Sequence, residues 1–342
     1  MLKRLFPALA VAALLAGSPA QAAPYDSLFI FGDSLSDAGN NALVIGANGT
    51  QVITDNTYIP LQPYGSGQYT NGNVWATTFA NSLGLGAYAA PVLAGGGNFA
   101  FGGARTSQDG DPPLNFPPSL ISQTNSFLAA TGGVAPGSAL YVVAGGGNDA
   151  RDTLTAAGAA FAANDLVLAN SIIGAAAMQY AADTEWIVHS LRNAGARSIV
   201  VWNTPNLGLV PAVTANGPGA SFLGSLVASS MNAALGAAMA DETGVTIFDD
   251  YGLLTAAVAN PGAFGLTNAT DACGNIMAGC DPATSMFWDG IHPTAAGHAL
   301  LAHEMLRSAA VVAVPEPETY AMMLAGLGLL GLAARRRKQQ AG

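Results

Sequence analysis

The sequence predicts an α/β fold, a largely parallel sheet covered by helices on both faces. Two observations carry the prediction: short apolar runs alternate with longer stretches patterned as helices, and the runs close on turns of glycine, aspartate or asparagine. A third sets the scale. Once both ends are set aside, roughly 290 residues remain with no compositional break and no internal repeat, the size of one large α/β domain.

The first strand is read at 28–31, Leu-Phe-Ile-Phe, closed by Gly32 and Asp33. A shorter strand is read near 98–101, and further strands at 139–143, 198–202 and 245–248, each a compact run of the apolar residue types that a sheet covered on both faces requires. Helical patterns fill 154–162, 165–193, 220–240 and 295–312. Gly195 closes the second of these, an Asn-Thr-Pro-Asn turn follows the strand ending at Trp202, and Pro293 suits the first position of the last helix. Two regions, 41–75 and 105–136, exceed ordinary connections and are expected to flank a site as walls or lids.

Both ends read as addresses rather than fold. Met1-Leu2-Lys3-Arg4, an apolar run from Leu5 to Gly17 and then Ala20-Gln21-Ala22 have the three regions of a secretory signal peptide, so residues 1–22 are expected to be removed. At the other end, Val314-Pro315-Glu316-Pro317-Glu318 precedes an apolar run from Tyr320 to Ala334 and the basic cluster Arg335-Arg336-Arg337-Lys338. Segment 314–342 resembles the PEP-CTERM sorting signal of Gram-negative bacteria, which implies an exosortase-type processing protease as partner. The run is shorter than the roughly 20 residues of an ordinary span, and either processing or a tail anchor implies at least transient attachment to the inner membrane. The expected locations are the periplasm, the cell surface or, after processing, the medium.

Ser34 stands at the end of the first strand, the rim at which open α/β sheets bind ligands. The stretch Phe31-Gly32-Asp33-Ser34-Leu35-Ser36-Asp37-Ala38-Gly39-Asn40 resembles the first block of the GDSL family of serine esterases and lipases, also called SGNH hydrolases. Three later stretches resemble its other blocks in order: Gly97 to Ala104, Leu140 to Asp149 with Gly-Gly-Asn-Asp at its end, and Phe287 to Thr294 with Asp289 and His292 three apart. The resemblance implies a three-layer α/β/α sandwich, flavodoxin-like, with a mostly parallel central sheet over residues 23–313. It also implies Ser34 as nucleophile, His292 as general base, Asp289 as the group orienting it, and the Ser34 and Gly103 N–H groups with the Asn148 side chain as oxyanion donors. Gln68 departs from the pattern, since many relatives carry arginine there. No Gly-x-Ser-x-Gly occurs, so the α/β-hydrolase elbow is not the source of a nucleophile. His189, His298 and His303 lie in helical patterns and read as packing or surface residues, His298 being the one rival base. Asp149 reads as the cap of the helix that follows.

The activity so implied is cleavage of carboxylic esters through an acyl-enzyme, with no cofactor and no metal. Alternatives on the same site are a phospholipase, an acyltransferase or a polysaccharide O-deacetylase; a surface-displayed matrix or binding protein that keeps the fold is the alternative from outside the enzymes. Tyr58, Tyr64, Tyr69 and Phe116 are candidate lining for an acyl pocket. The region between the two ends keeps five arginines, no lysine and 19 acids, a formal charge near −14. Such a surface argues against nucleic acid or anionic lipid as partner and favours neutral or apolar substrates. Cys273 and Cys280 are the only cysteines, and in an exported chain they are expected to form a disulfide that stiffens the loop before Asp289. No second pair or histidine stands at metal-ligand spacing with them.

Overall fold

The computed structural model describes residues 25–45, 64, 67–275 and 278–310. The signal-peptide and sorting readings and Tyr58 lie outside the described residues. Strands β1 (Ser27–Gly32), β2 (Ala139–Ala144), β3 (Ser198–Trp202) and β4 (Val245–Phe248) form one sheet in that order, every pair parallel. Leu28 faces Leu140 and Val143 faces Val201 across the ladders.

The outer edge of β1 carries the segment 97–101. Ile30 N–H donates to Gly97 O at 3.0 Å, Phe99 N–H to Ile30 O at 2.7 Å and Phe101 N–H to Gly32 O at 3.1 Å. The strand expected there is thus a bonded edge reduced to a bridge at Asn98, because its carbonyls are spent elsewhere. Asn98 O accepts from Val92 N–H and from the Asn40 side chain, and Ala100 O accepts from Asn40 as well. Counting this edge as the second strand gives the order 2-1-3-4-5, whose direction reverses between β1 and β2. That reversal opens the crevice in which doubly wound sheets place ligands.

Alternate strand residues point to opposite layers. Phe31, Tyr141, Val143, Ile199 and Val201 pack with residues of α3 (Leu120–Ala130), α5 (Leu166–Asn193) and α7 (Pro218–Met239), among them Phe127, Ile187, Leu191, Val227 and Met231. Leu28, Ile30, Leu140, Val142, Val200 and Trp202 face the other way, against Trp75 and Phe79 of α2 (Trp75–Ser82) and Leu301 and Met305 of α9 (Ala295–Ala310). This period of two across a sheet buried on both faces gives the expected three layers.

Several elements differ from the sequence reading. Helix α3 falls inside a region read as loop: its buried side is Leu120, Gln123, Thr124 and Phe127, half polar, so no apolar stripe announces it. Helix α4 (Gly147–Ala162) starts seven residues earlier than read, directly on the glycine run. Gly146 lies at φ +102°, and a Cβ there would sit 2.5 Å from the Tyr180 ring, so only glycine admits both the turn and the packing. Helix α8 (Asp250–Ala259), capped by Asp249, is apolar all round and shows no helical period. A small parallel pair, β5 (Asn268–Ala272) and β6 (Ser285–Phe287), was not expected. Pro293 precedes α9 rather than opening it, and Thr294 caps the helix by accepting from Gly297 N–H at 3.0 Å.

Candidate active site

β1 delivers Asp33 and Ser34 to the crevice. Ser36 N–H and Asp37 N–H both donate to Asp33 O, at 3.0 and 2.9 Å, which turns the chain sharply after the strand. Gln123 of α3 clamps the preceding residue from both sides: its Oε1 accepts Gly32 N–H and its Nε2 donates to Gly32 O, each at 2.9 Å. That pair satisfies the end of β1 just where the sheet opens. Beyond the turn, Asp37 accepts four backbone N–H groups, from Gly39, Asn40, Asn41 and Gly102. The Asn98 side chain donates to Ser36 O at 2.7 Å, so the first sequence block is fastened to the second.

β6 delivers the other half. Asp289 Oδ1 accepts from Ile291 and His292 N–H at 2.7 and 2.6 Å, which folds the loop so that the ring of His292 comes back over its own aspartate. His292 Nδ1 lies 2.7 Å from Asp289 Oδ2, and His292 Nε2 lies 2.8 Å from Ser34 Oγ. With Nδ1 donating to the carboxylate, Nε2 is the acceptor for the serine hydroxyl. Asp289 and His292 are buried, while Ser34 keeps a small exposed surface. Burial raises the Asp289 carboxyl, but His292 and the Tyr64 hydroxyl outweigh it, and its pKa lies below the ordinary value.

Ser34, Asp289 and His292 are therefore brought together as one chain of hydrogen bonds, and the segments carrying Asn148 and Gly103 adjoin the Ser34 turn, Gly147 lying against Asp33 and Gly102 N–H donating to Asp37. Asn148, in the first turn of α4, donates from Nδ2 to Ala104 O at 2.9 Å. Gly103 has φ +81°. Among the described residues neither the Ser34 nor the Gly103 N–H has a protein acceptor, as donors for an incoming oxyanion require. Asp149 does not cap α4, whose cap position is Gly146; its carboxylate receives Thr106 N–H and Oγ. His298 is buried with Nδ1 accepting from Trp75 N–H, and burial pushes its pKa down to about 3. It stays neutral inside α9, and the imidazole bonded to Ser34 is that of His292. Cys273 and Cys280 are disulfide bonded with a Cα separation of 5.6 Å, and the bridge lies beside β6, where Cys273 and Gly274 N–H donate to Phe287 O and Trp288 O.

Tyr64 and Tyr69 stand against the His292 ring. Tyr64 Oη donates to Asp289 Oδ2 at 2.5 Å, and its ring meets His292 edge-on at 5.9 Å. Tyr69 lies 5.3 Å from the same imidazole and accepts from the Asn41 side chain. Phe116 packs on Phe101. Gln68 accepts Val74 N–H at the start of α2, so it serves the scaffold. Asp37, Asn98 and Gln123 were missed as site residues in the sequence, and Tyr64 was read only as pocket lining; Asp37 and Asn98 lie inside the first and second blocks, whereas Gln123 carried no signal.

A hydroxyl, an imidazole and a carboxylate in line at the switch point of a doubly wound sheet form the arrangement of hydrolases that work through a serine. Residues 28–305 match the family described as GDSL-like Lipase/Acylhydrolase, and the chain belongs to that family. It is 32% identical over 337 residues to esterase EstA of Pseudomonas aeruginosa, covering 88% of this chain and 49% of that protein, and equally similar to esterase EstA of Pseudomonas putida. A GDSL esterase/lipase of Arabidopsis thaliana is 27% identical over 322 residues, covering 82% of this chain and 88% of the relative. The chain thus spans about half the length of the EstA proteins. Residues 313–338 match the PEP-CTERM protein-sorting motif, which indicates export and sorting in a Gram-negative bacterium.

Proposed function

We propose that the protein is an exported serine hydrolase that cleaves carboxylic esters through an acyl-enzyme. The observation that carries the reading is the unbroken relay from Ser34 Oγ through the His292 ring to Asp289 Oδ2, with both bonds under 3 Å. Ser34 Oγ attacks the ester carbonyl as its proton passes to His292 Nε2. The tetrahedral oxyanion is received by the Ser34 and Gly103 N–H groups and the free N–H of the Asn148 amide. His292 then gives the proton to the leaving alcohol, and water, activated the same way, releases the acid and restores Ser34. Family membership and the esterase names of the Pseudomonas relatives support the same reaction.

Ser34→Ala is expected to lower kcat on p-nitrophenyl butyrate by at least roughly a thousandfold while the fold is kept. Retention of most turnover, or failure of a fluorophosphonate probe to label wild-type Ser34, would overturn the assignment and favour a matrix or binding role. The sorting motif supports processing by an exosortase-type protease. Mature protein isolated from the producing cell should then lack the peptide from Arg335 to Gly342 by intact mass, and its recovery at full length would sink that step.

A further inference from the structure

Three helices rise beyond the C-terminal edge of the sheet. Tyr180 Oη donates to Trp202 O at 3.1 Å, which fixes α5 at the level of the strand ends. Asn232 fixes α7 at the same level, since its side chain accepts from Thr204 N–H and donates to Thr204 O, each at 2.8 Å. α4 starts there, at Gly147. Residue 161 on α4, 166 on α5 and 218 on α7 each lie fourteen residues from these anchors, so each helix extends about 20 Å along its own axis from its anchor.

Between α4, α6 (Pro211–Thr214) and α7 this superstructure holds a cavity of about 600 Å³. Its inner end is polar and next to the relay: Ile291 precedes His292 directly, and Arg151 reaches Asn148 Oδ1 at 3.4 Å. Its body is mainly apolar, walled by Leu154, Leu207, Val210 and Leu223 with Thr155 and Asn216 among them, and its outer end reaches Phe161. Along α4 the distance from Arg151 to Phe161 is about 15 Å, enough for an extended chain of roughly ten to twelve carbons. The helix ends around the outer opening carry Phe161, Leu166, Val167 and Phe222, all half or more exposed.

We infer that this cavity is the acyl-chain subsite, that it suits medium-length and longer fatty acyl esters, and that Gly158 and Gly219 keep it open. The inference rests on the ester-hydrolase reading of Ser34 and adds its substrate class. A polar end beside the relay and an apolar body leading away from it match an ester group with an alkyl tail. An acetyl group would leave the cavity unfilled. Gly158 sits mid-groove, where an added Cβ meets only Leu223 at 3.8 Å, and a Cβ at Gly219 meets nothing within 4 Å. Both glycines line the cavity, and each has room for a Cβ.

The test compares Gly158→Leu and Gly219→Leu with wild type on p-nitrophenyl butyrate and dodecanoate. The ratio of kcat/KM for dodecanoate to that for butyrate is expected to fall at least tenfold in Gly158→Leu and less in Gly219→Leu, since each excluded methylene is worth about fourfold. An unchanged ratio in both folded variants overturns the subsite, and so does an equal loss on both esters. Calorimetry of sodium dodecanoate binding to Ser34→Ala supplies a readout that needs no turnover. Adding Gly158→Leu there should weaken binding at least tenfold, and undiminished binding overturns the subsite even if the esterase reading fails by its own test.

Discussion

Asp289 receives four hydrogen bonds on two oxygens, two from backbone, one from His292 and one from Tyr64. The backbone pair fixes where the carboxylate sits; the Tyr64 hydroxyl fixes which way Oδ2 points as it holds the imidazole. A donor to a buried charged acceptor is worth about 1.5–3 kcal/mol. Tyr64→Phe keeps the ring against His292 and removes that bond alone, so we expect kcat on a p-nitrophenyl ester to fall roughly tenfold with KM nearly unchanged. Steady-state kinetics decide the point: an unaltered kcat would remove Tyr64 from the relay, and a change confined to KM would make it a substrate contact. Ser34, Asp289 and His292 were legible in the sequence through the resemblance of their two blocks to those of the GDSL family; the turn pattern alone reads as ordinary turns and a helix start. Tyr64 was not, since its partner is 225 residues away and a lone tyrosine in a loop has no period to betray it.

At the scale of elements, legibility followed the regularity of the pattern. The four strands of the main sheet were read nearly to their ends, because a strand buried on both faces is a continuous apolar run bounded by polar turns. Helix α5, the longest, was read to within a residue, with Asp165 capping it through Leu168 N–H. Helices α3 and α8 escaped for opposite reasons: one buries glutamine and threonine, and the other is apolar on every side. In both cases tertiary contact decides the helix rather than amphipathic period. The buried Gln123 of α3 explains its own irregularity, because it exists to satisfy Gly32 beside Ser34. The edge segment 97–101 shows the same trade. Its backbone and the Asn98 side chain are used to hold the Ser34 turn and Asn40 instead of extending a ladder.

Across the whole molecule, acidic groups outnumber basic ones, and several are placed where water cannot reach them. Burial pushes the Asp33 and Asp37 carboxyls up to about 6. Burial, reinforced by the negative charges of Asp249 and Asp33, pushes Asp250 up to about 7. Asp33 and Asp250 face one small void behind the Ser34 turn, shared with Trp202 and Asn203. Each of the three holds its proton more tightly in the folded chain than in the unfolded one. The stability they contribute is complete below the ordinary carboxylate value of about 4 and is lost as pH rises toward about 6 to 7. Asp289 acts in the opposite sense, because its lowered pKa contributes stability above the ordinary value and loses it as pH falls. Asp33 and Asp37 are tied to the Ser34 turn by backbone N–H groups, whereas the Asp250 carboxylate has no hydrogen-bond partner among the described residues. Asp250 is therefore the clean probe. Asn at this position copies the shape of the protonated acid and cannot ionise, so Asp250→Asn should raise Tm by several degrees near about pH 8, with the gain shrinking toward about pH 5. Differential scanning calorimetry of both proteins across that range measures the difference directly. A Tm difference that stays constant with pH would mean that Asp250 does not titrate in this window.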